Sequence, residues 1–184
     1  MKLIRNTPTP DPGSTSREVP ARHSWKILVV DDEADIRALT RLNLKGFTFD
    51  GRELEFIEAA SAEEARQRLN EHRDIAVALI DVVMETDDAG LRLVEYIRQT
   101  LGNKMIRLVI RTGQPGVAPE RFVIDNFDID DYKDKTELTA TRLYTTVRSA
   151  IKGYRDLKTI DLNRIGLSRV LHAAPDLYKI SNAS

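Results

Sequence analysis

Residues Ala76 to Met84 read A-V-A-L-I-D-V-V-M, a continuous apolar run with one carboxylate, Asp81, near its far end. A run of this kind predicts a strand that is covered on both faces, as in a parallel sheet. Burying a carboxylate among aliphatic side chains carries a desolvation penalty. We therefore expect Asp81 at the carboxyl end of the strand, facing the crevice where open α/β sheets bind ligands. The alternative is an aspartate that caps the following loop.

The composition of the chain narrows the classes of protein to which it can belong. Its 184 residues are 41% apolar and 31% charged, which is sufficient for one full core with some length left over. Lysine and arginine (28) nearly balance aspartate and glutamate (29), so no net charge favours nucleic acid or a membrane as a partner. The absence of cysteine excludes thiolate chemistry, and isolated histidines disfavour a histidine metal site. Since no apolar run can cross a bilayer and the first residues lack a signal-peptide core, we expect a cytoplasmic protein.

The other apolar runs alternate with helical patterns. Residues 1–24 are rich in proline, serine and threonine, which predicts a flexible arm. Over residues 25–158, five short apolar runs alternate with helical segments. This alternation predicts a doubly wound, flavodoxin-like (βα)5 parallel sheet with strand order 2-1-3-4-5. In the first predicted helix, Ile36, Leu39 and Leu42 are spaced along one face.

Polar side chains follow the predicted strands at the end where each strand meets the crevice. The first and third strands are neighbours where the strand order reverses, so the carboxylates that follow them are expected to converge. Carboxylates that lie so near to one another raise one another's pKa unless a cation is present. A cluster of oxygen ligands alone suits Mg2+. The set consists of Asp31 and Asp32 after the first strand, Asp81 on the third, Thr112 on the fourth and Lys135 after the fifth.

Together these motifs resemble the receiver domain of bacterial two-component response regulators, over residues 25–158. The resemblance is carried by V-V-D-D-E at 29–33, L-I-D-V-V-M at 79–84, R-T-G at 111–113 and D-D-Y-K-D-K at 130–135. It implies a signalling domain rather than an enzyme. Such a domain accepts a phosphoryl group from a sensor histidine kinase or a phosphotransfer protein in the presence of Mg2+. Phosphorylation then reshapes the face formed by the fourth helix, fifth strand and fifth helix.

The resemblance also implies a role for each polar position. Phosphoryl transfer to a carboxylate needs an in-line nucleophile and fixed positive charge around the phosphoryl oxygens, which these residue types can supply. The implied roles are Asp81 as phosphate acceptor, Asp31 and Asp32 with Asp81 and the backbone carbonyl of Val83 as magnesium ligands, Thr112 as switch hydroxyl, Lys135 as phosphate-contacting lysine, and Tyr132 as the aromatic side chain whose position reports the switch.

The sequence departs from the family pattern beside the predicted lysine. Thr136 follows Lys135 where the family usually has proline, often after a cis bond, and a cis bond before a non-proline residue costs about 3 to 4 kcal/mol. Lys133 lies close by. The choice of Lys135 rests on its position three residues after the aromatic Tyr132.

Residues 159–184 predict a helical linker toward an output domain. Apolar residues continue in heptad-like spacing from Leu143 to Tyr178 with one irregular step, and Pro175 is expected to end the pattern. This helix and the switch face together predict a homodimer; the alternative for its first part is a helix folded back on its own core. The residues within and around these motifs resemble those of a subgroup of response regulators. In that subgroup the receiver precedes a sensory-like domain and often an HD-GYP cyclic di-GMP phosphodiesterase, although a stand-alone receiver is the alternative.

The residues alone are also compatible with three other functions. A pseudo-receiver would keep the fold and bind partners without phosphorylation. A haloacid dehalogenase-type phosphatase also uses a strand-end aspartate with Mg2+, but it needs a second aspartate two residues further on, where this chain has Val83. A nucleotide-binding domain of similar topology is disfavoured because no glycine-rich loop follows the first strand.

Overall fold

Six strands and five α-helices alternate along the part of the chain that the structure describes. The computed structural model describes residues 24–114, 116 and 119–181, with side chains as far as residue 169. The strands are β1 (Trp25–Val30), β2 (Thr48–Phe49), β3 (Arg52–Ala59), β4 (Ile75–Asp81), β5 (Arg107–Thr112) and β6 (Asp131–Asp134). The helices are α1 (Ala34–Asn43), α2 (Ala62–Glu71), α3 (Ala89–Glu95), α4 (Glu120–Asn126) and α5 (Ala140–Ser181). The predicted arm, except for Ser24, lies outside the described residues.

The strands form one sheet in the order β2-β3-β1-β4-β5-β6. All pairs from β3 to β6 are parallel, so the predicted flavodoxin-like fold and its strand order are confirmed. The strand β4 lies at the centre and every one of its residues is buried. The apolar run that begins at Ala76 is therefore covered on both faces, as its lack of alternation predicted.

The short strand β2 corrects the prediction of a purely parallel sheet. It pairs antiparallel with β3, and the two are joined by Asp50 and Gly51, whose φ angles of +50° and +70° form a tight hairpin turn. Its Phe49 is buried, and the Trp25 indole donates to the Phe49 carbonyl at 2.9 Å. A strand of two residues has no detectable period in the sequence. It is stabilised by tertiary contacts rather than by a pattern of its own.

The helices cover both faces of the sheet. Buried residues of α2, α3 and α4 pack against one face, and those of α5 pack against the other. The helix α1 contacts both β1 and α5, so it lies on the same side as α5. The carboxyl ends of β1, β4 and β5 therefore open onto one edge of a well-packed domain.

The buried face of α1 is not the apolar face that the sequence presents. Leu39 and Leu42 are 50% and 64% exposed, whereas Thr40 is only 3% exposed. Thr40 faces the sheet because its hydroxyl accepts a hydrogen bond from Arg111 on β5 at 2.8 Å. The inner face of α1 thus carries a polar residue because its partner inside the domain, Arg111, is polar.

The helix α5 is continuous from Ala140 to Ser181. The expectation that Pro175 ends the helical pattern is wrong, because the helix continues through this residue despite the backbone donor that proline lacks. Several apolar side chains beyond the domain are exposed, namely Ile160, Leu162, Ile165 and Leu167. The part of the predicted heptad-like spacing that follows residue 169 lies outside the described side chains.

Candidate functional site

Three carboxylates meet at the carboxyl ends of β1 and β4. Asp31 and Asp32 follow β1, Asp81 ends β4, and one oxygen from each can lie within 4.8 Å of the others. They are close because β1 and β4 are adjacent parallel strands with Val30 opposite Ile80. Asp31 and Asp81 are buried at 0% and 4% exposure, while Asp32 is exposed.

The donor set fits a small, hard divalent cation. All candidate ligand atoms are carboxylate oxygens, one each from Asp31, Asp32 and Asp81. The exposed side of Asp32 leaves room for the waters that Mg2+ retains in proteins. The backbone carbonyl of Val83, two residues beyond Asp81, stays a predicted ligand.

The lysine predicted at position 135 reaches the carboxylates. Its Nζ atom lies 2.8 Å from Oδ2 of Asp81 and 3.0 Å from Oδ2 of Asp31. Lys133, the neighbouring candidate, instead pairs with Asp131 at 3.0 Å on the outside of the domain. The difference follows from their places along the chain, because Lys133 lies within β6 whereas Lys135 opens the turn beyond the carboxyl end of β6, at the edge of the sheet where the acids lie.

The backbone after β6 delivers this lysine without a cis bond. No cis peptide bond occurs among the described residues, so the bond from Lys135 to Thr136 is trans. Lys135 opens a short 3-10 turn, Lys135–Glu137, in which the Asp134 carboxylate accepts from the Thr136 N–H at 2.8 Å. The aspartate cap stabilises the turn that begins at Lys135.

Burial and the neighbouring charges shift the pKa of both partners. Burial raises the pKa of Asp81 above its ordinary value, and the hydrogen bond from Lys135 opposes this shift only in part. Burial lowers the pKa of Lys135, but hydrogen bonds to Asp81 and Asp31 outweigh it, so the net shift is upward. The lysine is thus held in its charged form beside a carboxylate that burial has made more basic.

The two predicted switch residues are already in contact. Thr112 is fully buried at the end of β5, and its Oγ1 accepts from the Gln114 N–H at 3.0 Å. Tyr132 is only 6% exposed and packs into the core beneath α2, α3 and α4. A hydrogen bond joins the Tyr132 and Thr112 side chains, while burial raises the pKa of the tyrosine. The aromatic ring therefore occupies an inward, buried position next to the end of β5.

Arg111 is a residue of this site that the sequence analysis missed. It is 3% exposed, directly opposite Asp81 in the sheet register. Its Nη2 lies 3.3 Å from Oδ2 of Asp31, and its Nη1 donates to Thr40. Burial lowers its pKa, and the charges of Asp31 and Asp81 oppose this shift. The available signal was a charged residue inside the apolar strand M-I-R-L-V-I-R, immediately before Thr112.

Gly90 is a second residue that sequence reasoning did not single out. A Cβ at this position would lie 1.9 Å from the backbone oxygen of Asp81, and the Gly90 N–H donates to the Val82 carbonyl at 3.0 Å. The first turn of α3 thus rests directly on the strand end that carries the acid. At Gly113, by contrast, a Cβ would make only an ordinary contact of 3.7 Å with Cδ of Lys135.

The parallel sheet, the acid cluster and the lysine define a receiver domain of the response-regulator type, as the motifs predicted. A response regulator receiver domain protein from Clostridium thermocellum is 25% identical, with a TM-score of 0.59 over 72% of this chain and 98% of that chain. The receiver domain of NtrX from Brucella abortus is 25% identical, with a TM-score of 0.55 over 68% of this chain and 98% of that chain. The domain is therefore a two-component signalling receiver in its overall class.

A relative with a known activity extends the comparison. The 3′3′-cGAMP-specific phosphodiesterase 2 of Vibrio cholerae is 50% identical over 157 residues, which is 85% of this chain and 30% of the relative. The chain thus spans about 30% of that protein's length. A family model described as a domain of unknown function (DUF3369) matches residues 147–184 and so begins inside α5. No helix among the described residues combines the length and apolar character needed to cross a membrane.

Proposed function

We propose that this domain is a phosphorylation-dependent switch in which Asp81 accepts a phosphoryl group from a histidine kinase or a phosphotransfer protein. The observation that carries the proposal is the state of the Asp81 carboxylate. Its Oδ2 is held by Lys135 at 2.8 Å, while its buried Oδ1 has no hydrogen-bond partner in the described part of the chain. A fixed carboxylate with one free oxygen is the arrangement expected of an in-line nucleophile.

Phosphoryl transfer to Asp81 would form one bond to phosphorus and break another. The Oδ1 atom of Asp81 forms a bond to phosphorus as the bond from phosphorus to the donor's imidazole nitrogen breaks, and the electron pair stays on that nitrogen. Lys135, whose Nζ lies 2.8 Å from Asp81, and the Thr112 hydroxyl would stabilise charge on the phosphoryl oxygens. Asp31, Asp32, Asp81 and the Val83 carbonyl would hold Mg2+, which supplies charge neutralisation for the incoming phosphoryl group.

The switch is proposed to run through Thr112 and Tyr132. A phosphoryl group on Asp81 competes for the Thr112 hydroxyl, which in the structure is hydrogen-bonded to Tyr132. Recruiting Thr112 releases that bond and moves the end of β5. The surface formed by α4, β6 and α5 then changes, because Tyr132 lies on β6 and β6 contacts both β5 and α4.

The output is proposed to be carried by α5. This helix packs on the sheet through Leu143, Val147 and Tyr154, then continues to Ser181 with exposed apolar side chains. A helix of this kind can transmit a change at the switch face to a following domain and can pair with a second copy. The relationship to a phosphodiesterase supports a cyclic nucleotide phosphodiesterase as the controlled activity, and we propose that signalling occurs in the cytoplasm, where phosphoryl donors derived from ATP are available.

The test is intact mass spectrometry of the 184-residue chain after incubation with Mg2+ and acetyl phosphate. We expect one phosphoryl adduct on the wild type, none on Asp81→Asn and none after EDTA. Asp87→Asn, an exposed acid in the following loop, is the matched control and should be modified normally. An adduct that persists in Asp81→Asn, or no adduct under any condition, would contradict the proposal and favour the pseudo-receiver.

A further inference from the structure

We propose that the positive charge of Arg111, which contacts Asp31 on the buried side of the metal site, lowers the affinity of that site for Mg2+. The inference rests on the proposed function, because it concerns the same magnesium site. It goes beyond that proposal by assigning a permanent positive charge to the buried side of the site, where the resembled motifs contain no functional residue.

The guanidinium is fixed between the acid and α1. Its Nη2 contacts Oδ2 of Asp31 at 3.3 Å, and its Nη1 donates to Oγ1 of Thr40 at 2.8 Å. Thr40 in turn donates to the Ile36 carbonyl at 2.8 Å. A side chain with two directional partners and 3% exposure cannot swing away when a ligand enters.

This charge acts on an oxygen that Lys135 also contacts. Oδ2 of Asp31 lies 3.0 Å from Nζ of Lys135 as well as 3.3 Å from Arg111. The lysine is 15% exposed at the mouth of the site, whereas the arginine lies beneath it. When a divalent cation enters, the lysine can turn toward an arriving phosphoryl group, but the arginine stays and repels the cation at short range through a medium of low effective dielectric.

Orientation of the acid does not depend on the arginine. Oδ1 of Asp31 accepts from the Glu33 N–H at 3.1 Å, so the backbone also holds this carboxylate in place. Removing the guanidinium therefore leaves an oriented ligand and takes away a nearby positive charge. The change in Mg2+ affinity is therefore set by the loss of the positive charge, and Mg2+ binds more tightly without Arg111.

A purely structural role does not account for the arginine. Its Nε is buried without a hydrogen-bond partner among the described residues, which is a penalty that an apolar side chain would avoid. Replacing a buried ion pair by apolar groups is often neutral or stabilising for the fold. The benefit is instead a site that is not permanently occupied by metal and that becomes closer to neutral when both the cation and a phosphoryl group are bound.

The experiment is calorimetric titration of the full chain with MgCl2. Relative to the wild type, Arg111→Met and Arg111→Gln should each lower the Kd for Mg2+ at least tenfold, because both remove the charge. Arg111→Lys keeps the charge and should stay within threefold of the wild type. Lys45→Met removes an exposed cation at the far end of α1 and controls for net charge; its Kd should be unchanged.

Each outcome separates this inference from the proposed function. If the wild type binds Mg2+ and the folded Arg111→Met or Arg111→Gln protein binds it equally or more weakly, the inference is overturned while the magnesium site stands. If both variants fail to fold by circular dichroism, Arg111 serves the fold and the inference is also overturned. If neither the wild type nor any variant binds Mg2+, the proposed metal site itself is wrong. If only Arg111→Met and Arg111→Gln bind Mg2+, the inference is supported in its strongest form.

Discussion

The Nζ atom of Lys135 lies 2.8 Å from Oδ2 of Asp81, although the strand β5 lies between β4 and β6 in the sheet and the two residues are 54 positions apart in sequence. The same Nζ contacts Asp31 at 3.0 Å. One cation therefore contacts two buried carboxylates, and its hydrogen bond to Asp81 opposes the rise that burial causes in the pKa of that group. The stability of the domain and the chemistry of its acceptor carboxylate depend on the same three side chains.

Replacing Asp81 by asparagine should stabilise the domain near neutral pH. Burial raises the pKa of Asp81, so its ionised form destabilises the folded state. For a carboxyl with a raised pKa, stability is greatest when the group is protonated and falls as pH rises through the raised pKa. The Tm advantage of Asp81→Asn over the wild type should therefore be small below the ordinary aspartate pKa, grow as pH rises through the raised pKa, and stay constant above it. Thermal unfolding by circular dichroism across this range measures it, and a difference that shrinks with rising pH would contradict the argument.

Removing the lysine should have the opposite effect on stability. Lys135→Ala leaves Asp31 and Asp81 without the cation that they share, and breaking a buried pair in this way costs about 3 kcal/mol of unfolding free energy. Lys133→Ala is the matched control, since its partner Asp131 lies on the partly exposed side of β6. Urea unfolding at neutral pH should show a large loss for the first variant and less than about 1 kcal/mol for the second. Equal losses would show that the acid cluster does not rely on Lys135.

A methyl group at Gly90 should disrupt the strand end that carries Asp81. The added Cβ of Gly90→Ala would lie 1.9 Å from the Asp81 backbone oxygen, so either α3 or the end of β4 must move. Gly166→Ala is the control, because a Cβ at that position of α5 meets nothing within 4 Å and should stabilise the helix by up to about 1 kcal/mol. We expect a lower Tm and loss of Mg2+ binding only for Gly90→Ala. Normal Mg2+ binding by this variant would show that the strand end tolerates the shift.

The switch residues should be separable from the acceptor. Thr112→Ala and Tyr132→Ala each remove one side of the hydrogen bond that joins these side chains. Both variants should still accept a phosphoryl group on Asp81, but amide hydrogen exchange in α4 and β6 should no longer change on phosphorylation. Tyr144→Phe, on the surface of α5, should respond like the wild type. An unchanged exchange response in Thr112→Ala and Tyr132→Ala would exclude this route of signalling.

Much of the architecture could be predicted because the informative residues are periodic or are placed at strand ends. The unbroken apolar run before Asp81 identified the central strand, and the acids after β1 indicated where the site would lie. The hairpin strand β2 could not be found in this way, since two residues carry no period. The apolar spacing of α1 was misleading for a different reason. Leu39 and Leu42 are exposed because Thr40, which pairs with Arg111, occupies the inner face of the helix.

The sequence by itself determined the parallel sheet, its strand order and the position of each acid, because burial pattern and strand connection are local properties of the chain. The tertiary structure decided which charges meet. Only the packed sheet places Arg111 beneath Asp31, the Lys135 Nζ between two carboxylates and Gly90 against the backbone of Asp81. The physical reason is that these contacts join residues on different strands and helices. Their distances follow from sheet register and helix packing, which no single stretch of sequence contains.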